Sequence, residues 1–127
     1  MLREDGIVMD DGTTTRISEN HYHMTTTTAQ AANVLSHLEY YLQLVWPELN
    51  VNVVSTTEQW AGAAIAGPNS RKLLMKLFPN LDVSNEGLPF MGYKEADLFG
   101  IPAKIYRISF SGELAYEINV ESDNGYF

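Results

Sequence analysis

Apolar residues recur every three or four positions through one stretch of the chain, at Ala31, Leu35, Leu38, Leu42 and Val45, and Val34 and Tyr41 widen the same stripe. That spacing predicts an α-helix with one buried face. Pro47 ends it, because proline lacks the N–H the next turn needs, and Thr27 or Thr28 stands where a hydroxyl caps its start. Gly67-Pro68 opens a second helix, since proline suits a first helical turn, and Leu73, Leu74 and Leu77 form its buried side. Elsewhere strand formers dominate. Strands are predicted at Ile7-Val8-Met9 and over residues 13–17, 21–27, 51–55, 60–66, 93–98, 104–110 and 115–120. Asp10-Asp11-Gly12, Ser18-Glu19-Asn20 and Gly100-Ile101-Pro102 read as turns between them, and residues 79–89 as a loop. In the strand at 21–27, Tyr22 and Met24 alternate with His21 and His23, predicting buried Tyr22 and Met24 with the histidines toward solvent.

Two helices among hairpin-connected strands predict an α+β fold, one antiparallel sheet flanked by two main helices. With 127 residues, 45% hydrophobic and 19% charged, the chain has the makings of one globular domain spanning 1–127. It ends on Tyr126-Phe127, which reads as the start of a further helix, so neighbouring segments are expected to complete a partial domain.

Charge and composition narrow the function. Sixteen acidic against eight basic residues give a net charge of −8, which repels a phosphate backbone and argues against nucleic acid as a partner. The one basic cluster, Arg71, Lys72 and Lys76, fits the wet face of the second helix. No apolar run reaches the roughly 18 residues of a membrane span, and Met1-Leu2-Arg3-Glu4-Asp5-Gly6 does not resemble a secretion signal, so no membrane partner and a cytoplasmic location are expected. The absence of cysteine rules out disulfides, thiolate nucleophiles and cysteine-bound metals.

The remaining candidates for chemistry are carboxylates, hydroxyls and histidines. His21 and His23 share a strand face, but no third ligand is implied for them or for His37, so no metal site is expected. The glycines form no phosphate-binding loop, and Ser111 lacks the first glycine of a nucleophile elbow. Asp10-Asp11-Gly12 reads locally as turn chemistry, with a second reading as a carboxylate held at a strand end beside a pocket. Glu117 reads as a surface acid. Buried, its two oxygens would match a pair of adjacent N–H donors such as the amino-pyrimidinone edge of a pterin.

Taken in order, Asp5-Gly6-Ile7-Val8-Met9-Asp10-Asp11, the segment 24–33, Ala66-Gly67-Pro68 and Arg107-Ile108-Ser109-Phe110-Ser111-Gly112-Glu113-Leu114-Ala115-Tyr116-Glu117 resemble the motifs of the glycine-cleavage aminomethyltransferase family across essentially the whole chain. Within that family the wording is similar to the folate domain of sarcosine oxidase alpha subunits. The resemblance implies a fragment of the folate-binding fold. It implies that Asp11 is the catalytic carboxylate near the reactive folate nitrogens, that Glu117 binds the pterin ring, and that Phe110 and Thr13 complete the folate-binding set. It also implies tetrahydrofolate as the ligand of this segment, FAD, FMN and NAD elsewhere in a parent complex, and other parent domains and oxidase subunits as partners. A stand-alone aminomethyltransferase or folate-dependent demethylase, and a non-enzymatic folate-binding scaffold for iron-sulfur assembly, are the alternative functions. Two departures stand out. The usual Glu-Asp-Gly is Glu113-Leu114-Ala115, and the usual asparagine after the second strand aligns with Thr27.

Overall fold

The strand-forming runs sort into two antiparallel sheets, one in each of two compact units, Met1–Thr57 and the segment from Glu58 onward. The computed structural model describes residues 1–126. The class is α+β, as the pattern predicts, although the strands divide between a two-stranded and a four-stranded sheet rather than forming one.

In the first unit the opening residues fold back on themselves. Leu2 bridges Val8, the Arg3 N–H donates to the Ile7 carbonyl at 2.9 Å, and Gly6 turns the chain at φ +79°. Ile7-Val8-Met9 therefore pairs backwards rather than with the threonine run, and Asp10-Asp11-Gly12 is no hairpin turn. Two interactions hold these residues instead: Thr27 binds the Asp10 carboxylate, and Gly12 lies against the Thr25 backbone, where a Cβ would stand 1.9 Å from the carbonyl oxygen. Glycine is needed here for close approach, not for a positive φ.

The threonine run becomes β1 (Thr14–Ser18), paired with β2 (His21–Met24) in the register Thr14↔Met24 across the expected turn at Glu19-Asn20. The predicted burial of β2 holds for the exposed His21 but not for Tyr22, His23 or Met24. Tyr22 is 55% exposed and Met24 is exposed on the same side, while His23, on the other face, is partly covered.

Helix α1 (Ala31–Tyr40) follows a short 3₁₀ turn at Thr28–Gln30 and widens into a π turn at Tyr41–Val45, where the Trp46 N–H reaches back to the Tyr41 carbonyl just ahead of Pro47. Val34 is the buried centre of its apolar stripe. Thr27 stands at the N-cap of the 3₁₀ turn, not of α1, whose N-cap is Gln30, and its side chain makes no capping bond. Residues 51–55 form no strand: they find no ladder partner among the described residues, and Val51, Val53 and Val54 are exposed.

The second unit is built on the sheet order β3 (Trp60–Ala66), β6 (Ala115–Glu121), β5 (Ile101–Tyr106), β4 (Tyr93–Leu98), every neighbour antiparallel. One face carries Ala103, Ile105, Tyr116, Ile118 and Val120 into a core shared with Leu74 of α2 (Ser70–Leu77) and with Phe78 just beyond it. The loop over 79–89 is ordered by this core, to which it delivers Val83 and Leu88.

Three local readings change. Leu73 is 45% exposed, because the inner side of α2 is set by Ser70, Leu74 and Leu77 at helical spacing. Arg71 is not on the wet face: it donates to the Tyr116 hydroxyl at 2.9 Å and to Asn85 at 2.7 Å. The β4–β5 turn is Phe99-Gly100, both at positive φ and with Asp97 accepting the Gly100 N–H, so Ile101 and Pro102 already belong to β5. The strand predicted over 104–110 stops at Tyr106, and the chain's end makes one 3₁₀ turn, Ser122–Asn124. The helix expected to start at Tyr126-Phe127 lies partly outside the described residues.

Truncating the two adjacent leucines of α2 separates its faces. Leu74→Ala is expected to cost about 3 kcal/mol by leaving a cavity, and Leu73→Ala less than about 1 kcal/mol, read as shifts of the urea midpoint by tryptophan fluorescence.

Candidate functional site

Asp10 and Asp11 are neighbours with opposite environments. Asp10 is 8% exposed. Its Oδ2 accepts the Thr27 backbone N–H at 2.9 Å and its Oδ1 accepts the Thr27 hydroxyl at 2.6 Å. These donors, the hydroxyl foremost, hold the Asp10 carboxyl below the usual carboxylate range against the opposing effect of burial. Asp11 is exposed and lies on the rim of an open hollow of about 250 Å³, lined also by Asp10, Gly12, Met24, Thr25, Thr26 and Val34. Thr13 braces that wall from behind: its hydroxyl and that of Thr25 are 2.9 Å apart, its N–H donates to Thr25 Oγ1, and the Thr25 N–H donates to its carbonyl at 2.8 Å. All of these residues lie in the first unit.

In the second unit the site is set by the pleat. Ile105 and Ile118 point into the core, so their neighbours point to the other face. The ladder aligns Ala64, Glu117, Tyr106 and Tyr93 in one row across the four strands, and Gly62, Asn119, Lys104 and Glu95 in the next. This face is polar and aromatic. The Tyr106 and Tyr93 rings pack 5.1 Å apart, the Tyr106 hydroxyl is hydrogen-bonded to Asn119, and the Tyr93 hydroxyl donates to Glu95 at 2.5 Å. Lys104 Nζ lies 4.8 Å from the centre of the Trp60 ring and 3.8 Å from Glu95. Gly62 leaves room for Asn119, whose Oδ1 would be 2.7 Å from a Cβ there.

Glu117 is half-buried in this face, and burial pushes its carboxyl above the ordinary glutamate range, with no hydrogen-bond donor or cation among the described residues drawing it down. Burial also pushes the Tyr106 phenol up to about 12, the Glu117 and Glu95 charges adding to it and the Asn119 bond opposing it. Tyr93 is raised by burial and by Glu95. Neither phenol ionises near neutral pH, so both act as neutral hydrogen-bonding walls. Phe110 is 99% exposed, at the tip of a loop held by the Gly112 N–H to Ser109 Oγ bond at 2.8 Å and by the Ser111 hydroxyl on Glu113.

Of the residues expected to carry chemistry, Asp11 and Thr13 thus belong to one unit, and Phe110 and Glu117 to the other. Sequence reasoning missed Tyr106, Asn119 and Lys104 as companions of Glu117. The signal was present in the period-two spacing of Glu117 with Asn119 and of Lys104 with Tyr106, but only the β5–β6 register makes them one row and the next. Among the described residues, no group of three His, Asp or Glu side chains is arranged to hold a metal.

Known proteins share this arrangement of sequence. The alpha subunit of sarcosine oxidase from Rhizobium meliloti (strain 1021) is 52% identical over 127 residues, covering 98% of this chain and 13% of that subunit. The corresponding subunit from Corynebacterium sp. (strain P-1) is 52% identical over 126 residues, again 98% of this chain and 13% of its own length. An aminomethyltransferase of Listeria monocytogenes serotype 4a (strain HCC23) is 31% identical over 123 residues, 96% of this chain and 32% of that protein. The chain therefore spans about 13% of the sarcosine oxidase subunits it matches. With residues 1–126 matched by the GCVT N-terminal domain, the chain belongs to that family.

Proposed function

We propose that this chain is the tetrahydrofolate-binding part of a sarcosine oxidase alpha subunit, in which the one-carbon unit released by oxidative demethylation of sarcosine is captured as 5,10-methylenetetrahydrofolate. Glu117 carries the reading: a carboxylate buried enough to raise its pKa, on a polar sheet face, with no donor or cation among the described residues to satisfy it. Such a group suits two adjacent N–H donors from outside, which the amino-pyrimidinone edge of a pterin provides. Residues 1–127 are read as one partial folate-binding domain. The 52% identity to sarcosine oxidase alpha subunits, against 31% to an aminomethyltransferase, favours the oxidase over a stand-alone transferase. Retention of both Asp11 and Glu117 favours an enzyme over a non-enzymatic scaffold for iron-sulfur assembly.

When bound, tetrahydrofolate supplies the amines that take up the one-carbon unit. The residues of the chain do the rest by position and charge. Glu117 fixes the pterin edge, and Phe110, free at its loop tip, packs on the ring. Asp11 holds an anionic carboxylate near the reacting nitrogens, accepts a proton and stabilises developing positive charge, while Thr13 braces the wall that carries it. In this reading FAD, FMN and NAD reside elsewhere in a cytoplasmic parent complex, whose other domains and subunits are the partners of this segment. The isolated chain has no catalytic activity of its own.

Tetrahydrofolate titration of the full-length parent, followed by tryptophan fluorescence, tests the pterin role. Glu117→Ala is expected to weaken binding about tenfold or more, the worth of charge-assisted hydrogen bonds, and undiminished binding would remove Glu117 from the site. Because the ligand pairs with ionised Glu117, a proton competes with it. Affinity should therefore fall as pH drops through the raised glutamate pKa, and Glu117→Gln should flatten this dependence relative to the unmodified protein; an identical pH profile in both counts against it. For Asp11→Asn, folate affinity is expected to persist while methylenetetrahydrofolate formation falls about 100-fold, within the range of general acid–base catalysis. Formation at the normal rate would take Asp11 out of the mechanism.

A further inference from the structure

Three consecutive residues at the head of the first unit's site do three different things. Asp10 is buried with both carboxylate oxygens engaged by Thr27, Gly12 is pressed against the Thr25 carbonyl, and Asp11 between them is exposed on the rim of the hollow. From this geometry we infer that Asp10 is a positioning residue for Asp11, acting through its two hydrogen bonds to Thr27. The inference rests on the role proposed above for Asp11.

Asp10 differs from Asp11 in being almost buried and engaged by an internal partner. At 8% exposure it contributes to the lining of the same hollow, but Oδ1 and Oδ2 both accept from Thr27, at 2.6 and 2.9 Å. Thr27 in turn gives up the usual duty of its position. It stands at the N-cap of the 3₁₀ turn that leads into α1, where a threonine hydroxyl ordinarily accepts a backbone N–H, and instead donates that hydroxyl to Asp10. The Asp10–Thr27 pair thereby ties the backbone just before Asp11 to the start of the helical segment.

On the other side the tie is to the segment just after β2. Gly12 admits no Cβ beside Thr25, and Thr13 exchanges backbone and hydroxyl bonds with the same residue. The backbone is thus tied one residue away from Asp11 in each direction. A carboxylate that must meet a reacting nitrogen gains from such pre-positioning, since displacement by about 1 Å can cost on the order of 100-fold in rate.

The test uses the full-length chain in its assembled complex, measuring kcat for methylenetetrahydrofolate formation and KM for tetrahydrofolate. Asp10→Asn keeps the shape but places an amide against the Thr27 donors. It is expected to lower kcat about tenfold with KM changed less than about twofold. Thr27→Val, which keeps the backbone bond and removes the hydroxyl, should lower kcat in the same direction. Thr27→Ser should restore it, and this pair decides the matter if Asp10→Asn does not fold. A normal kcat in folded Thr27→Val overturns the inference. So does a fall in kcat that only tracks the folded fraction by thermal melting, or one that Thr27→Ser fails to restore. Asp11→Asn run alongside separates the two readings. If Asp11→Asn abolishes formation while Asp10→Asn and Thr27→Val leave it intact, only the positioning role fails; if Asp11→Asn is itself fully active, the role of Asp11 fails and this one with it.

Discussion

A β-strand turns successive side chains to opposite faces, and β6 uses that alternation for two purposes at once. Tyr116, Ile118 and Val120 enter the core beneath α2, which obliges Glu117 and Asn119 to point the other way. A slip of one residue in register would exchange the two sets, burying the acid in the core and turning the isoleucine outward. The packing that stabilises the second unit and the presentation of Glu117 are therefore one constraint. The same pleat on β5 places Tyr106 and Lys104 beside them. Tyr106 and Asn119 bond to each other rather than to Glu117, and so fill the polar face without neutralising its carboxylate.

The first unit reaches a comparable result by other means. Its two-stranded sheet is too small to bury a face, as the exposure of Tyr22 and Met24 shows, and order around Asp11 comes from polar ties rather than from a deep apolar core. The ties are local in space and distant in sequence: Asp10 to Thr27, and Gly12 and Thr13 to Thr25. Two adjacent aspartates differ because one is surrounded by donors and the other is not. The first becomes part of the scaffold, and the second remains an accessible carboxylate at a hollow.

The family-like segment after the second strand carries a threonine where an asparagine is usual, and the structure gives that threonine a definite task. Thr27 offers both a backbone N–H and a hydroxyl to one carboxylate, a pairing that needs a short side chain and a particular backbone path. Similarly, Arg71 looked like a solvated charge by spacing, yet it bridges Tyr116 and Asn85 and so links α2 to the core strand and to the loop beyond.

Periodicity alone determined the α+β class, α1 with its stop at Pro47, β3 to the residue, and the loop over 79–89, because these follow from local backbone chemistry and from one buried face. The order of motifs likewise pointed to Asp11 and Glu117 as the candidate site residues. What tertiary structure decided was pairing and facing. The run at 51–55 has strand composition but acquires no partner among the described residues, Ile7-Val8-Met9 pairs backwards with the first residues, and Leu73 faces outward while Ser70, Leu74 and Leu77 hold the inner side of α2. A strand exists only where a second strand supplies its hydrogen bonds, and a carboxylate's character is set by which donors reach it. Both are relations between residues far apart in the chain, which the local pattern around Asp10 or Glu117 does not contain.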